Sequence, residues 1–108
     1  MEQAKLKTDP PAPVAAAMRR IGDDMKTWRK LRQLTAAQVA DRAGVGRDTV
    51  ARLESGRDVS SINLLRIARA LGVLDALAGS VDPYETDVGR LRANEALPER
   101  VRPRRVPR

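Results

Sequence analysis

Cysteine, histidine and phenylalanine are missing from this chain of 108 residues, and Trp28 and Tyr84 are its only aromatic side chains. A chain without cysteine forms no disulfide and no Cys-based zinc site, and a chain without histidine lacks the usual proton shuttle. We therefore expect no metal, no cofactor and no enzymatic activity. The core must be built from Leu, Val, Ile, Ala and Met, which suits small helices better than sheets.

Long apolar runs are also missing, because no segment has the length of a signal peptide or a membrane span. We therefore expect a cytoplasmic protein with no membrane partner. The net charge is +7, and arginine far outnumbers lysine. Guanidinium groups bind phosphate and guanine through paired hydrogen bonds, so an anionic partner is expected, with nucleic acid favoured over a membrane surface. On composition alone, a solubilising excess of charge is the alternative.

The composition changes twice along the chain and predicts three parts. Residues 1–13 contain three prolines and no apolar period, which is typical of a flexible arm. Residues 14–79 carry helical patterning and are expected to form one domain. Residues 80–108 form an extension of mixed charge that ends in a basic, Pro-rich tail, expected to be disordered when free over 98–108. Within this extension, the segment 84–97 has the weak pattern of a helix.

Apolar residues at three- and four-residue spacing predict five short helices in the domain. Met18, Ile21, Met25 and Trp28 share the inner face of the first helix, which should end near Gln33, and Trp28 is expected in the core. Capping residues predict the bounds of the next three helices. The second helix starts at Thr35, paired with Gln38, and ends at Gly44; the third lies between Gly46 and Gly56. The fourth starts at Ser60 or Ser61 and ends at Gly72. The fifth is expected over 74–78.

The third helix, about 47–55, has two different faces. At 100° per residue, Val50 and Leu53 point together towards the core. The opposite face carries Arg47, Asp48, Thr49, Ala51 and Arg52. Arginine can bind guanine O6 and N7, aspartate can accept from cytosine N4, and threonine can touch a phosphate or a thymine methyl. The alternative is an ordinary solvated face, on which Asp48 and Arg52 form an i,i+4 pair worth about 0.2–0.5 kcal/mol.

Residues 34–73 resemble the helix-turn-helix core of the lambda-repressor-like, or XRE, regulators. The matching positions are Leu34-Thr35, Val39-Ala40, Ala43-Gly44-Val45, Thr49-Val50, Leu53-Glu54-Ser55-Gly56 and 64–72. The resemblance implies an all-α fold, a compact five-helix lambda-repressor-like domain. Three positions depart from the usual pattern: Gln33 replaces glycine, Gly46 replaces a Ser or Thr cap, and Ala36 replaces a glutamine that contacts DNA. The first two departures are expected to lower stability.

The resemblance also implies roles for individual residues. Those expected to read bases are Arg47, Asp48, Thr49 and Arg52, and those expected to contact phosphates are Thr35, Ser55 and Arg57. Arg29 and Glu54 match a pair that in this family joins the first helix to the third. Because this pair holds the reading helix at its angle, we interpret it as structural.

The function implied is that of a sequence-specific DNA-binding transcriptional regulator. Such proteins commonly bind double-stranded DNA as homodimers on palindromic operators, so we expect a dimeric repressor of its own operon. The candidate dimer interfaces are Leu71–Ala78 and Tyr84–Leu97. The size and domain order also resemble HipB-like antitoxins, which bind a HipA-type kinase toxin. Three roles for the basic tail stay open: contact with a toxin or other protein, contact with DNA phosphates, or neither.

Overall fold

The computed structural model describes residues 9–95 and 97–100. All regular elements among these residues are helical, as the sequence predicts. The α-helices are α1 (Ala12–Leu31), α2 (Ala36–Ala43), α3 (Arg47–Glu54), α4 (Ser61–Leu71), α5 (Leu74–Gly79) and α6 (Asp87–Leu91), and a 3-10 helix covers Pro83–Glu85. The chain divides between Ala78 and Gly79 into two units. Most of the expected N-terminal arm, and the tail beyond Arg100, lie outside the described residues.

Four helices of the first unit enclose one small aliphatic core. Helix α1 packs against α3, and α2 packs against both α3 and α4. The buried side chains are Met25, Val39, Ala40, Val50, Leu53, Ile67, Ala68 and Leu71. Every one of them is aliphatic or Met. Because α3 contributes Val50 and Leu53 to this core, its opposite side must face outward.

The helix boundaries follow the capping residues that the sequence contains. Thr35 and Gln38 form the reciprocal capping box at the start of α2, and Ser60 caps α4 by accepting from the Asn63 N–H. Gly44 and Gly72 end α2 and α4 in the left-handed conformation. Gly46 precedes α3 and has no side chain to cap the helix, so the lower stability expected from this position stays a prediction.

Gln33 has a backbone conformation that glycine adopts more readily than other residues. It follows the last turn of α1 with φ = 58°, and it is the one non-glycine residue with positive φ among the described residues. The Leu34 N–H reaches back to the Arg29 carbonyl at 3.0 Å, which closes the turn. An L-residue in this conformation is strained by roughly 1–2 kcal/mol because Cβ approaches the carbonyl oxygen.

Replacing Gln33 with glycine is therefore expected to stabilise the domain. The gain is about 0.5–1 kcal/mol, because glycine relieves the strain but loses more backbone freedom on folding. Thermal unfolding of the full chain measures it. Gln33→Ala is the matched control, since it removes the side chain but keeps Cβ; equal stabilisation by both variants would exclude backbone strain as the cause.

Trp28 is not a core residue, so that expectation is wrong. Its side chain is 38% exposed, and the Arg32 guanidinium lies 5.1 Å from the ring centre in a cation–π contact. Met25, one turn earlier, takes the buried position instead. The short helix α5 covers only part of this face, and Trp28 lines the edge of a groove with Val73 and Leu77.

The second unit is small and held by local hydrogen bonds. The expected helix over 84–97 is replaced by the 3-10 helix and the five-residue α6. Thr86 separates them because its backbone is extended, with φ = –110° and ψ = 157°, and its hydroxyl accepts from the Gly89 N–H to start α6. Tyr84 and Leu91 stay exposed on this unit, at 50% and 83%.

Candidate nucleic-acid interface

A three-residue link joins α2 to α3. Helix α2 ends at Gly44, where φ is 69°, and α3 begins directly after Gly46. Between the two glycines, the Val45 N–H donates to the Ala40 carbonyl at 3.0 Å, and the Val45 side chain packs on the core. The link is therefore fixed at its centre, and it sets the orientation of α3 relative to α2.

The exposed side of α3 joins a neighbouring loop to form a shallow depression of about 480 Å³. Its lining residues are Asp48, Ala51, Arg52, Ser55 and Arg57. Arg47 is exposed at the first turn of the same helix, and Thr49 is half-buried on the side that faces α4. The structure thus brings Asp48 and Arg52 together with Ser55 and Arg57, with Arg47 and Thr49 at the flanks.

Arg52 is bound to Asp58. Its Nη2 donates to Asp58 Oδ1 at 3.0 Å, and both Nε and Nη2 donate to the Asp58 carbonyl at 3.3 and 3.1 Å. The i,i+4 pair between Asp48 and Arg52 is not among the ion pairs of the described residues. Asp48 therefore lines the same depression as Arg52 without an ion pair to it.

Thr35 lies at the start of α2, where its hydroxyl and its N–H form hydrogen bonds with Gln38. The hydroxyl accepts from the Gln38 N–H at 3.1 Å, and the Thr35 N–H donates to Gln38 Oε1 at 2.8 Å. The hydroxyl proton is still available for a donor role. Because a helix N-terminus carries partial positive charge, an anion beside Thr35 would be stabilised.

Ser55 and Arg57 differ in how free they are to bind a phosphate. The Ser55 hydroxyl donates to the Arg52 carbonyl at 3.0 Å, so it must give up this hydrogen bond before donating to a phosphate. The Arg57 side chain is exposed, and its backbone N–H donates to the Arg52 carbonyl at 2.9 Å. Arg57 therefore offers an accessible positive charge, whereas the neutral Ser55 hydroxyl is already engaged.

Arg29 and Glu54 form a two-point ion pair between α1 and α3. Arg29 Nε and Nη2 donate to the two carboxylate oxygens of Glu54 at 2.9 and 3.0 Å, and Nη1 donates to the Leu34 carbonyl at 3.0 Å. The side chains are only 15% and 12% exposed. The hydrogen bond to Glu54 raises the pKa of Arg29 above its usual value. The pair therefore fastens the end of α3 to α1.

Two polar residues beside α3 were not singled out from the sequence. Asp58 binds Arg52, and Asn63 lines a second depression together with Thr49, Arg52, Val59 and Ser60. The positive φ of Gly56, 81°, turns the chain back so that Asp58 meets α3. A glycine after a helix signals such a turn, but it does not tell which later residue returns to the helix.

The described residues contain no group of three or more acidic, His or Cys side chains that could hold a metal ion. None of their helices combines the length and the hydropathy needed to cross a membrane.

Helices α2 and α3, joined by a short turn with α3 anchored in the core, have the arrangement of a helix-turn-helix. Residues 25–74 match the family model described as Helix-turn-helix, and this part of the chain is a helix-turn-helix domain of the XRE family. The domain is that of a DNA-binding transcriptional regulator. No curated protein matches the chain in sequence.

Proposed function

We propose that this protein is a repressor that reads a specific DNA sequence with the outer face of α3. The observation that carries the proposal is the division of α3 into two faces. Val50 and Leu53 are 1% and 0% exposed, so the helix cannot turn its arginines inward. Arg47 and Arg52 are exposed on the other face, one turn and a half apart. Guanidinium groups presented by a helix in a major groove are suited to bind guanine.

Contacts to phosphates would fix the depth and register of α3 in the groove. Thr35 and Arg57 lie at opposite ends of the helix-turn-helix, at the start of α2 and just after α3. In the proposal they bind the DNA backbone on the two sides of the groove, and Ser55 joins them by rotating its hydroxyl. Asp48 and Thr49 contribute to base reading beside the arginines. Bound protein then blocks access to a promoter.

Arg47 and Arg57 are expected to have different effects on DNA binding. Arg47→Ala removes a base contact, so it should weaken binding to the preferred duplex by about 1–3 kcal/mol and relax preference at one or two base pairs. Arg57→Ala removes a phosphate contact, so it should weaken binding to all duplexes alike and reduce the salt slope by roughly 1. Titrations of both variants at two salt concentrations measure this difference.

Arg69→Ala is the matched control for these titrations. Arg69 is exposed in the last turn of α4, whereas the first turn of α4 is the one that lies beside α3. The substitution removes the same charge at a distance from the proposed interface, so little change in DNA affinity is expected. An Arg47→Ala variant that loses affinity equally for every duplex would contradict its assignment to base reading.

Homodimerisation is the second part of the proposal. One reading helix covers only a few base pairs, so two copies on half-sites about one helical turn apart are needed for useful specificity. Support comes from the groove in the first unit, where Val73 and Leu77 lie beside Ile21 and the exposed ring of Trp28. This groove overlaps the candidate interface Leu71–Ala78. Static light scattering across a concentration series tests it, and a purely monomeric mass on and off DNA would exclude the dimer.

A HipB-like antitoxin that also binds a HipA-type kinase toxin is the second candidate function. It is favoured by the exposed apolar side chains of the second unit, which include Tyr84, Val88, Leu91 and Leu97. Such residues suit a protein contact better than a DNA contact. A toxin-like kinase encoded by the adjacent gene and co-purifying with the full chain would support this function. A chain that acts alone would be a free-standing repressor.

A further inference from the structure

Arg52 on the exposed face of α3 forms an ion pair with Asp58. Arg52 lines both depressions beside the helix, so its guanidinium lies between them. The Asp58 side chain is 96% exposed, and that of Arg52 is 46% exposed. An ion pair this exposed adds little to stability. The main effect of this ion pair is therefore on the position and charge of the Arg52 guanidinium.

Asp58 binds one edge of that guanidinium and leaves the other end open. Nε and Nη2 share the Asp58 carbonyl, and Nη2 also reaches the carboxylate. Nη1 makes no hydrogen bond within the described residues, so both of its protons are available to a ligand. An unanchored arginine samples many rotamers and must be ordered on binding. Three hydrogen bonds to one residue order Arg52 in advance.

The negative charge of Asp58 also favours discrimination between base pairs. A lone guanidinium is attracted to every phosphate of the DNA, which favours binding without sequence preference. A carboxylate 3.0 Å from Nη2 offsets that attraction. Contact with a base edge depends more on position than on net charge, so it is weakened less than the attraction to phosphates. An anchored and partly neutralised arginine therefore discriminates between base pairs better than a free one.

We propose that Asp58 is a positioning residue that holds the Arg52 guanidinium against α3 and thereby sets the sequence discrimination of the protein. The proposal rests on the proposed function, because it requires Arg52 to read bases. Gly56 supplies the turn that makes the contact, since its φ of 81° brings the chain back to α3 two residues later. The discriminating unit is thus Arg52 with Asp58, rather than Arg52 alone.

The test is a double-mutant cycle on DNA discrimination. The wild-type full chain first selects a preferred duplex from a random-sequence library. The dissociation constants for this duplex and for a scrambled duplex are then measured for wild type, Asp58→Asn, Arg52→Ala and the double variant. Asp58→Asn keeps the two hydrogen bonds to the backbone carbonyl and an acceptor oxygen at the side chain, so it tests the carboxylate charge. We expect Asp58→Asn to lower the ratio of the scrambled-duplex to the preferred-duplex dissociation constant about fivefold, and Arg52→Ala to lower it about tenfold. The double variant should equal Arg52→Ala, because Asp58 acts through Arg52.

Asp41→Asn is the matched control, since Asp41 is an exposed acid on α2 that lines neither depression. It removes the same charge, so it is expected to change both dissociation constants alike and leave their ratio unchanged. A second library selection with Asp58→Asn should lose preference at the base pair where Arg52→Ala loses it. Circular dichroism on each variant verifies that the fold is intact.

The outcomes separate this inference from the proposed function. A wild-type ratio well above one that is unaffected by Asp58→Asn overturns the role of Asp58 but leaves sequence-specific binding in place. The same holds if Asp58→Asn lowers the ratio equally with and without Arg52. A wild-type chain that selects no sequence from the library overturns the proposed function and the inference together.

Discussion

Gly22→Ala is expected to destabilise the domain by about 2 kcal/mol. Gly22 is buried in α1 where that helix crosses the end of α3, and an added Cβ would overlap the Leu53 carbonyl oxygen. Alanine favours a helix by about 1 kcal/mol over glycine, whereas overpacking costs about 1–3 kcal/mol, and the upper end applies here because an overlap with backbone cannot be relieved by a rotamer change. The cost should therefore exceed the gain. Denaturant unfolding of the full chain measures the difference.

The effect of Gly22→Ala should extend to DNA binding. The same Cβ would lie 3.1 Å from the Gly56 nitrogen, so relief of the overlap must move the end of α3 or the turn that follows it. Gly79→Ala is the matched control, because nothing lies within 4 Å of its added Cβ. A Gly22→Ala variant as stable as wild type would show that α1 and α3 are not held in this close contact.

Glu54→Ala is expected to cost about 3 kcal/mol of stability. The substitution leaves the Arg29 guanidinium largely buried without its carboxylate, and an uncompensated buried charge costs about 3–5 kcal/mol. The lower end of that range applies because Arg29 is still 15% exposed and keeps its hydrogen bond to the Leu34 carbonyl. Arg29→Ala should cost at least as much, since it removes the bond to Leu34 as well. Chemical unfolding of each variant gives the two values.

The coupling of Arg29 and Glu54 follows from a double-mutant cycle. The double alanine variant should lose clearly less than the sum of the two single losses, because neither charge is then left unpaired. Asp58→Ala is the contrasting control, as its pair with Arg52 is exposed and should change stability by less than about 0.5 kcal/mol. Additive losses for Arg29 and Glu54 would mean that the pair does not join α1 to α3.

Much of the helix-turn-helix could be predicted because local chemistry decides its boundaries. Thr35 with Gln38, and the glycines at 44 and 72, act within one helical turn, and all of them function as caps in the structure. The positions of Val50 and Leu53 follow from the helical period alone. The pair Arg29–Glu54 was predicted from the family resemblance, because its 25-residue separation has no local signal.

The remaining features depend on tertiary geometry. Trp28 has the correct period for a core position, but its burial depends on how far the short α5 extends over α1. Likewise, Arg52 has the i,i+4 spacing for Asp48, yet the turn at Gly56 offers it the carbonyl and carboxylate of Asp58 instead. Neither the length of a neighbouring helix nor the return of a loop is encoded within one turn of the residue concerned.

The central claim is that the exposed face of α3 reads a particular DNA sequence. Its most direct test is a binding titration of the full chain against the DNA upstream of its own gene and against a scrambled duplex, at two salt concentrations. We expect tighter binding to the upstream DNA, with a preference that persists at the higher salt because base contacts depend less on released counterions. Equal binding to both duplexes that disappears at high salt would contradict the claim.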